Sequence, residues 1–176
     1  MDLKDYIRTI PDFPKKGIMF RDVTSILEEP EAFGEVICEM ADRWDGEIDA
    51  IVALDARGFV FGGPLAIELG VPLVLARKKG KLPGKTQSVT YALEYGIDTL
   101  EMHEGSLEPH SHVLVVDDLL ATGGTAFAAC ELIEKMGAKV VGCAFVIELV
   151  GLGGRRKLGK YEIHSLVTYE EKPDGE

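Results

Sequence analysis

The sequence lacks the features that would carry it across a membrane or staple it from within. Its opening, MDLKDYIRTI, has an acid at Asp2 and no apolar core of the kind a secretory leader needs. The longest apolar run, Val140 to Ile147, is far too short to span a bilayer. A soluble, untargeted, cytoplasmic protein is the expectation. Cysteine is scarce: Cys38, Cys130 and Cys143 are odd in number, widely separated, and form no C-x-x-C pair. That argues against a disulfide framework and a thiolate zinc site, and predicts three reduced thiols in the core. His103, His110, His112 and His164 are scattered without ligand spacing, so no metal held directly by side chains is expected. Positive charge is also in deficit. With 19 Lys and Arg against 30 Asp and Glu, the net charge is −11, and such a field repels both nucleic acid and anionic membranes. There is no internal repeat, no low-complexity tract and no Ser/Gly linker. The 176 residues therefore read as one domain, burying about two thirds of its unfolded surface.

What is present is an alternation of apolar strands and helices. PEAFGEVICEMADRW opens with Pro30 near a helix N1 position and spaces Phe33, Val36, Ile37 and Met40 at helical intervals. DAIVAL, VPLVLA, HVLVVDD and KVVGCAFVIEL are short, continuous apolar runs. Between them, FVFGGPLAIELG reads as a helix ended by Gly70, and GTAFAACELIEKMG as one closed by Gly137. Continuous apolar strands separated by helices predict an α/β fold, a central parallel sheet flanked by helices. From Lys78 to His110 the pattern weakens under Gly80, Pro83, Gly84, Gly96 and Gly105. Long excursions of this kind in compact domains are often lids.

Two stretches carry chemistry. In VLVVDDLLATGGTA, Ala121, Thr122, Gly123, Gly124 and Thr125 lead from a strand into a helix, so free backbone N–H groups and the helix dipole favour a phosphate. An ordinary strand-to-helix turn would look the same on the glycines alone. Asp117 and Asp118 tip the balance, because two carboxylates at the end of an apolar strand cost desolvation unless something pairs with them. A sugar diol joined to a phosphate uses both halves of the motif, which is the description of a phosphoribosyl group. The second stretch is basic: Arg77, Lys78, Lys79, Lys81 and Lys85 fall within nine residues without an acid. A solvated loop and an anion site are equally compatible with it. GLGG at Gly151 to Gly154 lacks the following helix and distant acid of a dinucleotide fingerprint.

VLVVDDLLATGGTA resembles the phosphoribosyl diphosphate motif of the type I phosphoribosyltransferases. IPDFPKKGIMFRDVT, ALDARGFVFGGPLA, VPLVLARKKGKLPG, YALEYGIDTLEMH and FVIELVGLGGRRKL resemble, in order and spacing, the adenine-specific branch of that family, from about Ile10 to Tyr169. The resemblance implies a type I phosphoribosyltransferase fold with a lid at about 78–105 and a small hood to which about residues 1–30 contribute. It implies transfer of the phosphoribosyl group from phosphoribosyl diphosphate to adenine, giving AMP and diphosphate, with Mg²⁺ held mainly by substrate oxygens and water.

By the same resemblance Asp55, Ala56 and Arg57 bind the diphosphate, and Asp55–Ala56 matches a peptide that is cis in the family. Arg77, Lys78 and Lys81 also reach diphosphate, partly across a homodimer interface, whereas Lys79 and Lys85 carry no such role. Met19, Phe20 and Arg21 read the purine, with Leu149 over its other face and Glu148 near the ribose or base. Glu94 matches the acid/base position, and Tyr95 closes over the site. Asp117 and Asp118 support positive charge on the sugar as diphosphate leaves. Arg156 departs from the family, where an acid is frequent. A related transferase for xanthine, hypoxanthine or guanine, and a non-catalytic nucleotide-sensing regulator, are the alternatives; the second would need a basic DNA-binding extension.

Overall fold

In the computed structural model, which describes residues 1–93 and 95–170, the chain begins with a small antiparallel hairpin of Arg8–Pro11 (β1) and Met19–Asp22 (β2). One helical turn, Thr24–Leu27 (α1), leads into Pro30–Trp44 (α2), where proline stands in the first turn and its missing N–H is no loss. Ala50–Leu54 (β3) is buried at every position. Gly58–Leu69 (α3) follows and is terminated by Gly70 at φ +65°, a left-handed cap. The remaining elements are Leu73–Lys78 (β4), Thr86–Leu93 (β5), Gly96–His103 (β6), His112–Leu120 (β7), Gly124–Lys135 (α4), Lys139–Leu149 (β8), Gly154–Lys157 (α5) and Glu162–Tyr169 (β9).

β4, β3, β7, β8 and β9 lie side by side and parallel, in that order. β5 and β6 extend the β4 edge as an antiparallel hairpin, so the seven-stranded sheet is mostly parallel. Alternation along the strands splits the core into two layers. Ile51, Leu114, Val116, Ala144 and Val146 pack with α2 and α3. Val52, Leu54, Val113, Val115, Cys143 and Phe145 pack with α4. Phe61 and Phe145 are wholly buried, each contributing about 1.5–3 kcal/mol by leaving water. The carboxyl ends of β3, β7 and β8 share one edge, where open parallel sheets place their ligands.

Three expectations are corrected. The segment after Lys78 is not an irregular excursion: β5 and β6 pair without interruption from Thr86↔His103 to Leu93↔Gly96. TQSVTYAL is rich in β-formers but alternates only over Val89, Tyr91 and Leu93, of which Val89 and Tyr91 are partly buried against the α4 side of the core. Second, β7 runs on through Asp117 and Asp118 to Leu120, two residues past the predicted end. Third, Cys38 is exposed; only Cys130 and Cys143 are core thiols, with their sulfurs 3.7 Å apart. On α2 the buried positions Val36, Ile37, Met40, Ala41 and Trp44 define one stripe, and Cys38 falls off it. No helix among the described residues is long and apolar enough to cross a membrane.

Candidate active site

The turn from β7 into α4 encloses a cavity of about 120 Å³, lined by Leu119–Ala126 together with Asp117 and Phe145. Gly123 caps α4 at φ +85°, a backbone state that side chains resist. Its α-carbon also faces α5: a Cβ there would meet Gly154 Cα and O at 3.1 Å. Gly154 in turn leaves no room for a Cβ, which would lie 2.5 Å from the Ala121 carbonyl oxygen and 2.6 Å from Leu120 Cδ1. Glycine against glycine thus seats α5 directly on the loop. The first-turn N–H groups of α4 have no partners within the helix and face the cavity with the positive end of the dipole. The arrangement suits a phosphate.

Asp117 lines this cavity, and Asp118 follows it on β7. Asp118 is buried, and its Oδ2 accepts a bond of 2.5 Å from Arg57 Nε, while Asp117 Oδ1 accepts from the Asp118 N–H at 2.8 Å. Burial first, and then the neighbouring Asp118 charge, push the Asp117 carboxyl well above the usual carboxylate range. Arg57 stands at the N-terminus of α3, and Gly58 lets that end approach β7: a Cβ on Gly58 would lie 2.8 Å from Val116 O and 3.1 Å from Asp117 Oδ1. The Asp55–Ala56 peptide before it is cis. Arg77 Nε donates to Asp55 Oδ2 at 3.1 Å, with its guanidinium 5.7 Å from the Phe59 ring centroid. Lys78 Nζ is 3.3 Å from Asp98 Oδ2 on β6. Lys81, in the turn between β4 and β5, is exposed. Arg57, Arg77 and Lys78 each hold an acid.

The other end of the site gathers around Leu149. Leu120 pairs with Glu148, and Leu149 with Tyr169, so the last residue of β7 and the last of β8 lie on adjoining strands. The β1–β2 hairpin closes on this end: Arg21 lies 4.0 Å over the Tyr169 ring and donates to Thr9 Oγ1 at 2.7 Å. Phe20 is half-buried, edge-on to Phe13 with centroids 5.1 Å apart, and Met19 is exposed beside it. Glu148 is 2% exposed, and both its oxygens accept from Arg155, at 3.0 and 2.7 Å. Burial raises the Glu148 carboxyl, but the Arg155 bonds outweigh it and the net position is below the ordinary range. Tyr95 is 93% exposed. Glu94 lies outside the described residues.

A family model for the phosphoribosyl transferase domain matches residues 22–170. The chain belongs to the phosphoribosyltransferase family. An adenine phosphoribosyltransferase of Agathobacter rectalis is 54% identical over 171 residues, which is 97% of this chain and 98% of that one. Among solved structures, the adenine phosphoribosyltransferase of Thermoanaerobacter pseudethanolicus aligns with a TM-score of 0.90 at 49% identity, covering 95% of this chain and 98% of the other. The Giardia lamblia enzyme, complexed with 9-deazaadenine, aligns at 0.88 and 40% identity over 97% and 99%. This phosphoribosyltransferase has the type I fold, with β7, the phosphate loop and α4 carrying the VVDDLLATGGT motif.

The fold brings the two ends of this candidate site together from across the sheet, and some of its members are not singled out by the sequence. Arg155 stands in a run of cations, RRK, that reads as a solvated helix end. Its clue is the isolated acid in FVIEL: a carboxylate inside a buried strand needs a cation. Tyr91 and Asp98, seven residues apart across a hairpin that the composition does not announce, carried no such clue.

Proposed function

We propose that this enzyme transfers the 5-phosphoribosyl group of phosphoribosyl diphosphate to adenine, releasing diphosphate and AMP, as a soluble cytoplasmic catalyst of purine salvage. The observation that carries the reading is the adjacency of the two ends. The phosphate cavity is lined from Leu119 to Ala126, and Leu120 within that lining is paired with Glu148, the neighbour of Leu149. Strands so paired are about 4.8 Å apart, and a nucleotide bridges that interval with its phosphate on the loop and its base against Leu149.

Each residue then has a task. The N–H groups and hydroxyls of Ala121 to Thr125 hold the 5′-phosphate. Asp117 and Asp118 face the ribose, accept from its hydroxyls and favour the positive charge that grows at the anomeric carbon as diphosphate departs. Arg57, Arg77, Lys78 and Lys81, with the Asp55–Ala56 turn, take the diphosphate. Met19, Phe20 and Arg21 approach the purine from the hairpin, and Glu94 receives the proton that adenine gives up. Tyr95 and the tip of β5–β6 serve as the lid, excluding water, the competing nucleophile.

Among the described residues, no three His, Cys, Asp or Glu side chains gather in a metal cage, and two carboxylates beside a diphosphate site suit a hard cation carried mostly by substrate oxygens. Bound there, Mg²⁺ supplies positive charge to the leaving oxygens. Self-association into a homodimer fits Ile67, which is 84% exposed on α3; sedimentation velocity tests it. The function is tested by incubating the enzyme with phosphoribosyl diphosphate, Mg²⁺ and each purine in turn. AMP from adenine is expected, and nucleotide from an oxopurine alone would refute the base assignment. Glu94→Gln should lower turnover more than affinity for phosphoribosyl diphosphate, whereas Asp118→Asn should lower both.

A further inference from the structure

The β5–β6 hairpin touches the phosphate loop through one hydroxyl. Tyr91 and Asp98 are directly opposed in its register, so their side chains leave the same face of the hairpin. The Tyr91 hydroxyl lies 3.4 Å from Asp98 Oδ2 and 3.5 Å from Thr125 Oγ1, at the long end of hydrogen bonding. The same Asp98 oxygen is 3.3 Å from Lys78 Nζ. The Asp98 carboxyl is held below its usual range, first by the Thr99 N–H and also by Lys78, so it is ionised at neutral pH. An ionised carboxylate only accepts and an ammonium only donates. The direction of the chain is therefore set: Lys78 and Tyr91 both donate to Asp98, and the phenol oxygen is left to accept from the Thr125 hydroxyl.

We infer that Tyr91 and Asp98 are positioning residues that join the hydroxyl of Thr125 in the phosphate loop to the ammonium of Lys78, so that both ends of phosphoribosyl diphosphate are gripped as one unit. The inference rests on the proposed function, which assigns the loop to the 5′-phosphate and Lys78 to the diphosphate. The hairpin's mechanics support it. Below Tyr91 it is fastened to the body, with Lys135 Nζ of α4 donating to Ser88 O at 2.9 Å. Past Tyr91, the side chains of Leu93, Tyr95 and Ile97 are exposed, Ile97 to 75%. Tyr91 thus lies where the anchored part of the hairpin ends and the overhanging part begins. No other side chain in the hairpin has a bond to the loop among those described.

Tyr91→Phe removes the hydroxyl and keeps the ring. Calorimetric titration of the intact protein with phosphoribosyl diphosphate and with ribose 5-phosphate, both with Mg²⁺, is set beside steady-state KM values for each substrate. Affinity for phosphoribosyl diphosphate should fall about 3- to 10-fold, the scale of one net hydrogen bond. Ribose 5-phosphate, which engages the loop but not Lys78, should lose less than about twofold, and the KM for adenine should hold. Asp98→Asn should repeat the pattern, since it releases Lys78 and the phenol together. Equal losses for both ligands, no loss for either, or a matching rise in the adenine KM would overturn the coupling. Failure of the unmodified enzyme to bind phosphoribosyl diphosphate would overturn the function itself, and the coupling with it.

Discussion

Adding one methyl group at Gly154 should damage catalysis from outside the cavity. The new Cβ would stand 2.5 Å from the Ala121 carbonyl oxygen and 2.6 Å from Leu120 Cδ1, whereas ordinary contact begins near 3.4 Å. The leucine can rotate; the carbonyl is backbone and cannot. Either α5 lifts or the phosphate loop moves by roughly 0.9 Å, and overpacking of this kind costs about 1–3 kcal/mol. For a chain of this length that is about 2–4 °C in melting temperature for each kcal/mol. The effect on catalysis should be larger, because a misplacement of about 1 Å at a substrate-positioning group can cost about 100-fold. The assay pairs a thermal melt with kcat/KM for phosphoribosyl diphosphate in Gly154→Ala. A melting loss of about 2–12 °C and a fall of at least about tenfold in kcat/KM are expected. If the variant melts and turns over within twofold of the parent, the claim that α5 is braced against the loop is wrong.

Other substitutions probe other links. Asp117→Asn should raise the melting temperature at pH 8 while lowering turnover. The Asp117 pKa is raised on folding, so its favourable contribution is whole below the ordinary aspartate range and is lost as pH rises through the raised value. The amide keeps the bond from the Asp118 N–H, and a lower melting temperature at pH 8 would contradict the sign. Arg155→Ala leaves the Glu148 carboxylate buried without its cation and should cost about 2–3 kcal/mol at neutral pH, since water can follow only partly into the space vacated. Glu148 has a lowered pKa, so that contribution is whole above the ordinary glutamate range and is lost below it, as pH falls through the lowered value; melts taken from neutral pH downward should show the gap to the parent closing in the acid range. Gly34→Ala, on the exposed face of α2 with open space around it, should stabilise by about 0.5–1 kcal/mol and leave kinetics alone.

The parallel core could be read in the sequence because its strands are buried on both faces and therefore unbroken: β3, β7 and β8 contain their apolar runs whole. The strands at the sheet's margins could not. EIHSLVTY in β9 and TQSVTYAL in β5 are half-exposed and mix polar with apolar residues, so their identity depends on a neighbour that sequence does not place beside them. The site divides in the same way. The phosphate loop is contiguous, and its residue types announce their chemistry. The partners of its cations are not: Arg57 finds Asp118 across 61 residues and Arg77 finds Asp55 across 22. Such pairs exist only after the sheet has ordered β3, β4, β6 and β7 side by side. Cys38 is a different case: its exposure is legible in the phase of α2, whose buried stripe runs through Val36, Ile37 and Met40 and leaves position 38 outside.

The pairing of Arg57 with Asp118 and of Arg77 with Asp55 gives the proposed binding of an anion the character of an exchange rather than an attraction. An anion gains only the difference between its own hold on a cation and that of the carboxylate it evicts. A single orthophosphate can displace one acid and gains little; a diphosphate joined to a phosphorylated sugar reaches both arginines at once, and the gains add along one molecule. On the proposed assignment, discrimination would follow valency and span. Inhibition by orthophosphate should accordingly be weak beside that of diphosphate, a difference that steady-state competition measures directly.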